Sequence, residues 1–312
     1  MIWRRRGICW LAALLCAGAS AALAQAQEAG NDAPAPEGSV RTPVFEGRGP
    51  RTGAYSFLAN ADNAKVETGL ILAGITAVGL KTWNWGSKRS FHTHSEGWFG
   101  RDTSSGGSDK LGHAFSSFAI SNVLTDAMHF RGGSREDAAL TAAVLTLGVM
   151  TYVEVFDGYS KDHGFSREDM AMNVSGIGLS YLRSVLPGLR DRIDFRIEYL
   201  PSGHKGFRPF SDYAGQRFLL ALRPSGFAAL RNTPLCFVEL HAGYYARGFT
   251  EAENRRRERT PYVGIGIDLS ELVFGRRRAS SELDSLDHIG RLLLEHLQVP
   301  GTSYRALEEH RR

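Results

Sequence analysis

Cysteine is scarce in this 312-residue chain. Cys9 and Cys16 fall near the start, and only Cys236 stands elsewhere. One thiol beyond the leader excludes an internal disulfide framework. Cys236 sits in a strand-like run and reads as a small buried apolar residue. No nucleophile elbow, H-E-x-x-H or phosphate loop is present, so no reaction class is named by motif. Charge of one sign is also lacking. The formal net charge is +4, and removing Arg4, Arg5 and Arg6 leaves +1. The basic balance therefore argues for no nucleic-acid partner. Long hydrophobic runs are missing too. Leu140–Val153 carries 14 residues without a charge, short of the ~18 that mark a spanning helix.

What is present begins with an export signal. The basic residues Arg4–Arg6 precede the apolar run 8–15, and Ala22-Leu23-Ala24 supplies small residues for cleavage after Ala24, with Ala26 as the alternative. Leu15 makes a poor lipobox before Cys16, so a lipid anchor there is discounted. Residues 1–24 are read as signal peptide and 25–53, rich in Pro, Gly and Ala, as a disordered linker. Residues 54–190 are read as a helical domain, with helices at 66–82, 111–129, 137–156 and 166–186. Asp62 or Asn63 is a candidate cap for the first. Ser134 and Ser166 each open the same Ser-Arg-Glu-Asp tetrapeptide, a capping-box pattern with Asp in place of Glu. Thr141, Thr146 and Thr151 scatter around their helix, which is then apolar all round and suits a bundle core or a lipid contact. Trp83 and Trp85 suit either packing or a membrane interface.

After Arg190 the hydrophobic period changes from helix to strand. Ile193, Phe195, Ile197 and Tyr199 alternate with Asp194, Arg196 and Glu198, a half-buried strand. Further strands are expected at 217–222, 235–245 and 262–269, the last two as a hairpin. An amphipathic helix at 283–298 would cover the sheet. Four strands cannot close a membrane barrel. The fold class is thus mainly α with appended β: a bundle of about four apolar helices, then, over 191–312, a small antiparallel sheet and a C-terminal helix. Two basic clusters, Arg255–Arg257 with Arg259 and Arg276–Arg278, could meet anionic headgroups, but interspersed acids favour a solvated loop.

Chemistry concentrates between Ser108 and Gly178. Asp109 and His113 are four apart on one helix face, Glu154 and Asp157 three apart, and Asp169 and Asn173 four apart. If the three helices are antiparallel neighbours, these groups converge at one end of the bundle. His113, Glu154, Asp157 and Asp169 are the candidate ligands of a divalent metal ion, with Asp109, Lys110 and Asn173 completing the polar cluster. The same residues also fit plain capping and pairing, acid–base work, or capture of a cationic headgroup. His92 and His94, two apart in a polar loop, form a weaker metal pair.

Asp109-Lys110-x-x-His113, Glu154-x-x-Asp157-Gly158, Gly164-Phe165-Ser166-x-x-Asp169 and Asn173-x-x-Gly176, in that order, resemble the YfiM-like family of unknown function, envelope proteins of bacteria. The likeness covers residues 83–188. Asp212-Tyr213-x-Gly215-Gln216 resembles the longer members. A more distant similarity is to VanZ-like membrane proteins, where Asp157 departs from the pattern's usual Gln. Membership implies an envelope location and no activity. The expected protein is exported to the periplasm or outer membrane and meets a membrane surface or outer-membrane lipid. It holds a polar, metal-binding site without enzymatic activity. A metal-dependent hydrolase of an envelope lipid or glycan, and a purely structural membrane-associated module, are the alternatives.

Overall fold

The computed structural model describes residues 54–203, 207–249, 253, 256–275 and 285–311. The signal, the linker, Arg255 and the Arg276–Arg278 cluster lie outside these residues. Helix α1 (Ala54–Asn63), not expected from the sequence, precedes α2 (Lys65–Thr82). The break falls at Ala64, and neither Asp62 nor Asn63 caps α2; Asp62 instead pairs with Lys65 at 2.9 Å on the surface. Three long helices follow: α3 (Ser108–Phe130), α4 (Arg135–Asp157) and α5 (Arg167–Val185). Ser134 and Ser166 cap as their sequence suggests, accepting from Asp137 N at 3.1 Å and Asp169 N at 3.2 Å. Short connections make α3 and α4, and α4 and α5, antiparallel neighbours.

Small residues set how closely these helices approach. A Cβ at Gly176 would run into the backbone carbonyl of Ala114, so α5 lies directly on α3 there. Leu124, Met128, Ala138, Ala142 and Val149 form the bundle core with Ile71 of α2. Helix α4 has 23 residues and is long and apolar enough to cross a membrane by length and composition. Leu140, Val144, Leu147 and Val155 form its exposed side.

After the single turn α6 (Leu189–Arg192), five strands form an antiparallel meander in sequence order. They are β1 (Ile193–Tyr199), β2 (Gln216–Leu222), β3 (Val238–Arg247), β4 (Glu258–Ile267) and β5 (Ser303–Glu308). The expected hairpin is β3–β4; β5 is one strand more than the sequence reading gave. Between β4 and β5 lie α7 (Leu269–Phe274) and α8 (Ser285–His296). Helix α8 lies along β1 and against α3, where Leu292 meets Val123 and the His296 ring meets Phe118.

The two faces of the sheet differ from a half-buried expectation. Phe195, Ile197 and Phe218 pack on Phe115 and Phe118 of α3. The same face runs on into Leu220, Leu222, Leu240, Val263, Ile265 and Ile267, which are 37–53% exposed. The opposite face is polar and closed. Asp194, Arg196, Glu239 and His241 are all buried on it. These charges tolerate burial because they are paired. Arg196 bridges Asp194 at 2.6 Å and Glu239 at 2.7 Å, Arg183 reaches Asp194 at 2.7 Å, and Arg223 holds Asp268 at 2.9 Å.

Candidate metal centre

The helix directions bring the first turns of α3 and α5 and the last turn of α4 to one end of the bundle. Gly106 and Gly107, both at positive φ, turn the chain into α3 where a side chain would strike Phe249 or Phe99. Asp109 and Lys110 follow in that first turn, and His113 stands one turn further on the helix. Glu154 and Asp157 close α4, while Asp169 and Asn173 open α5.

Lys110 is fully buried and stands among three carboxylates. Its Nζ lies 2.8 Å from Glu96 Oε2, 2.9 Å from Asp109 Oδ2 and 2.8 Å from Asp169 Oδ1. Burial pulls the lysine down, but Asp109, Asp169 and Glu96 together hold it above its usual range. Burial pushes Asp109 up, and Lys110 with other donors more than reverses this. Glu96 is pushed up to about 7 by burial, helped by its hydrogen bond with Asp109 and the charge of Asp169.

A second group lies beside it. His113 Nδ1 is 3.3 Å from Glu154 Oε1 and 3.3 Å from Asn173 Oδ1, and its Nε2 is 3.9 Å from Asp169 Oδ1. Ser117 donates to Asn173 Oδ1 at 2.9 Å, and Ser166 N donates to Glu154 Oε2 at 3.2 Å. Glu154 is pushed up to about 8, first by burial and then by Asp169 and Asp157, against the pull of His113. Burial pulls His113 down, yet Asp169, Glu154 and Asp109 raise it overall. Glu154 Oε1, Asp169 Oδ1 and Asn173 Nδ2 are buried here without a hydrogen-bond partner, although Asp169 Oδ1 keeps its ion pair with Lys110. One donor atom each from His113, Glu154 and Asp169 lies within 4.8 Å of the others, and Glu96, Asp109 and Asp169 meet the same geometry.

Of the sequence candidates, the structure gathers His113, Glu154, Asp169, Asn173, Asp109 and Lys110. Asp157 sits at the margin, where its Oδ1 accepts from Trp85 Nε1 at 2.7 Å and burial raises its carboxyl. Trp85 is thereby a packed residue, in ring contact with Tyr152 and Phe156. His92 Nδ1 meets Gly158 O at 2.8 Å, and the backbone of His94 pairs with Phe165. Arg257 and Arg259 donate to the carbonyls of Arg101 and Phe99 at 2.8 and 2.7 Å, fastening the loop below Glu96. Glu96 and Tyr213 were not among the sequence candidates. The only signal for Tyr213 was its place in the Asp212-Tyr213-x-Gly215-Gln216 run.

A cavity of about 200 Å³ reaches this cluster. Glu96, Asp109, His113, Asp157 and Asp169 line one part, with Tyr213 and Gln216 beside them. The rest is mainly apolar, walled by α2, α3 and α4 together with Ile197 of β1, Phe218 of β2 and Phe210. Acidic groups are crowded at the polar end. Five carboxyl groups crowd around Lys110, His113 and the nearby His163, and burial with this crowding raises Glu154 to about 8 and Glu96 to about 7, so protons neutralise part of the charge. A divalent cation would displace such protons and give Glu154 Oε1 a partner.

A family model described as a predicted periplasmic lipoprotein (DUF2279) matches residues 95–185. No curated protein and no solved structure matches the chain. The matched segment spans α3, α4, α5 and the loop carrying Glu96, so it contains every charged member of the cluster and excludes the sheet. Over that segment the chain is similar to a family of unknown function, and the periplasmic description agrees with the export expected from the N-terminal sequence.

Proposed function

We propose that this is an exported envelope protein whose bundle end holds a divalent metal ion on His113, Glu154 and Asp169. The observation carrying this reading is Glu154 Oε1: a buried carboxyl oxygen without a hydrogen-bond partner, 3.3 Å from the His113 imidazole and grouped with Asp169. An imidazole with two carboxylates suits zinc or another borderline ion, and three protein ligands leave a coordination position open. Asn173 and Ser117 would steady the ring of His113, as outer groups do around metal-bound histidines. Thermal melting with and without chelator tests it. A metal at a hundredfold excess over its dissociation constant stabilises by about 2.7 kcal/mol. Chelation is therefore expected to lower the melting temperature of the wild type and barely to move Glu154→Gln. Equal sensitivity in both proteins removes Glu154 from any metal site.

The open face of the sheet and the outer side of α4 support placement on a membrane surface, since Leu240, Val263, Ile265, Leu140 and Val144 present apolar area to the outside. A hydrolase acting on an envelope lipid is the second reading, and the cavity favours it because it reaches His113 and Asp169. Bound metal would there polarise a carbonyl or phosphoryl oxygen. The likeness to YfiM-like proteins fits the envelope location and adds no reaction.

A further inference from the structure

We infer that the cavity takes the alkyl chain of a single-chain amphiphile, and that the chain's oxygen-bearing head group meets the metal ion; this rests on the metal reading above. The cavity is divided by chemistry. Its charged groups, Glu96, Asp109, His113, Asp157 and Asp169, belong to the region where the start of α3 and the ends of α4 and α5 meet. Away from that region the walls are Ile71, Ile75, Val78, Ile120, Val123 and Met150. Water entering the apolar part would find almost no partners there, and dry apolar cavities of about 150 Å³ accept benzene. The space of about 200 Å³ is thus suited to a short hydrocarbon segment. Gly74 and Gly112 also line it.

Charge then selects the head group. A bare carboxylate or phosphate would be repelled by Asp109, Asp157, Asp169 and Glu96. With a divalent cation on His113, Glu154 and Asp169 the same head acquires a partner and an open coordination position. Chain and head therefore make separate demands: the chain needs the cavity, and the head needs the metal.

Calorimetric titration of the zinc-loaded full chain with acetate, butyrate and octanoate separates them. Affinity is expected to climb with chain length, octanoate binding about a hundredfold tighter than acetate or better, and to fall below detection when zinc is stripped. Ile75→Phe and Val123→Phe, which fill the apolar part, are expected to erase most of the chain-length gain while zinc content stays that of the wild type. Zinc-loaded wild type that binds acetate and octanoate alike overturns the cavity inference and leaves the metal centre standing. Chain-length dependence untouched by both phenylalanine variants also overturns it. Octanoate binding that is equal with and without zinc, or in a protein that takes no zinc, removes the head-group assignment. In the latter case it removes the metal centre as well.

Discussion

Lys110 shows how much of the site a single residue controls. It is the fixed cation among Glu96, Asp109 and Asp169, and it has no exposed surface. Lys110→Met would leave buried carboxylates facing one another, and breaking a buried ion pair from one side costs about 3–5 kcal/mol. Urea denaturation is expected to show a loss of that size, and a loss near zero would mean that Lys110 is not the counter-charge. Trp85 is a second test. Trp85→Phe keeps the ring packing on Tyr152 and Phe156 but deprives buried Asp157 of its donor, an expected loss of about 1–3 kcal/mol. Most of these residues were legible in the sequence because helical spacing of three and four places His113 near Asp109, and Asn173 near Asp169. Glu96 was not, since it lies in a loop where no periodicity fixes its direction. Trp85 was ambiguous for a related reason. An amphipathic aromatic has the same sequence signature in a core as at a membrane rim, and only contact with Gly79, Tyr152 and Phe156 decides.

Elements were legible where a period and a cap coincide. Helices α4 and α5 begin where the Ser-Arg-Glu-Asp tetrapeptides place them, and β1 spans the alternating run. Strand β5 escaped because Ser303–Glu308 does not alternate cleanly; its pairing with β4 makes it a strand, across a bulge at Val263 and Gly264. The burial of Asp194 and Arg196 escaped for another reason. Their partners Arg183, Arg223 and Glu239 come from three separate stretches of sequence, so nothing local marks these charges as internal. Contact between elements can be tested at Gly176. Gly176→Ala places a methyl against the Ala114 carbonyl, so α5 must move away from α3. The expected destabilisation is about 1–3 kcal/mol, with weaker metal binding because Asp169 and Asn173 move with α5. A wild-type melting curve for this variant would contradict the close helix contact.

The whole molecule joins a bundle with a polar end to a sheet whose charged face is buried and whose apolar face, packed on α3 at Phe195, Ile197 and Phe218, runs outward over Leu240, Val263 and Ile265. The inside face has a pH signature. Burial raises Asp194, but Arg196, Arg223 and Arg183 overcome this and hold it at about 2, below its ordinary value of 3.8. A depressed carboxylate contributes stability that is fully present above 3.8 and is lost as pH falls through about 2. Denaturation midpoints followed by circular dichroism are expected to fall steeply across that window, and Asp194→Asn is expected to flatten the fall. The outside face predicts behaviour on lipid. Flotation with phospholipid vesicles is expected to carry the wild type upward, and a Val263→Glu and Ile265→Lys double variant is expected to stay below, still folded. The central claim remains the metal centre, and elemental analysis tests it most directly. Purified chain, incubated with zinc and desalted, should retain about one ion per molecule, and His113→Ala, Glu154→Gln and Asp169→Asn should each retain well under half of that while staying folded. A folded wild type that retains no metal, or equal retention by all four proteins, would contradict the account.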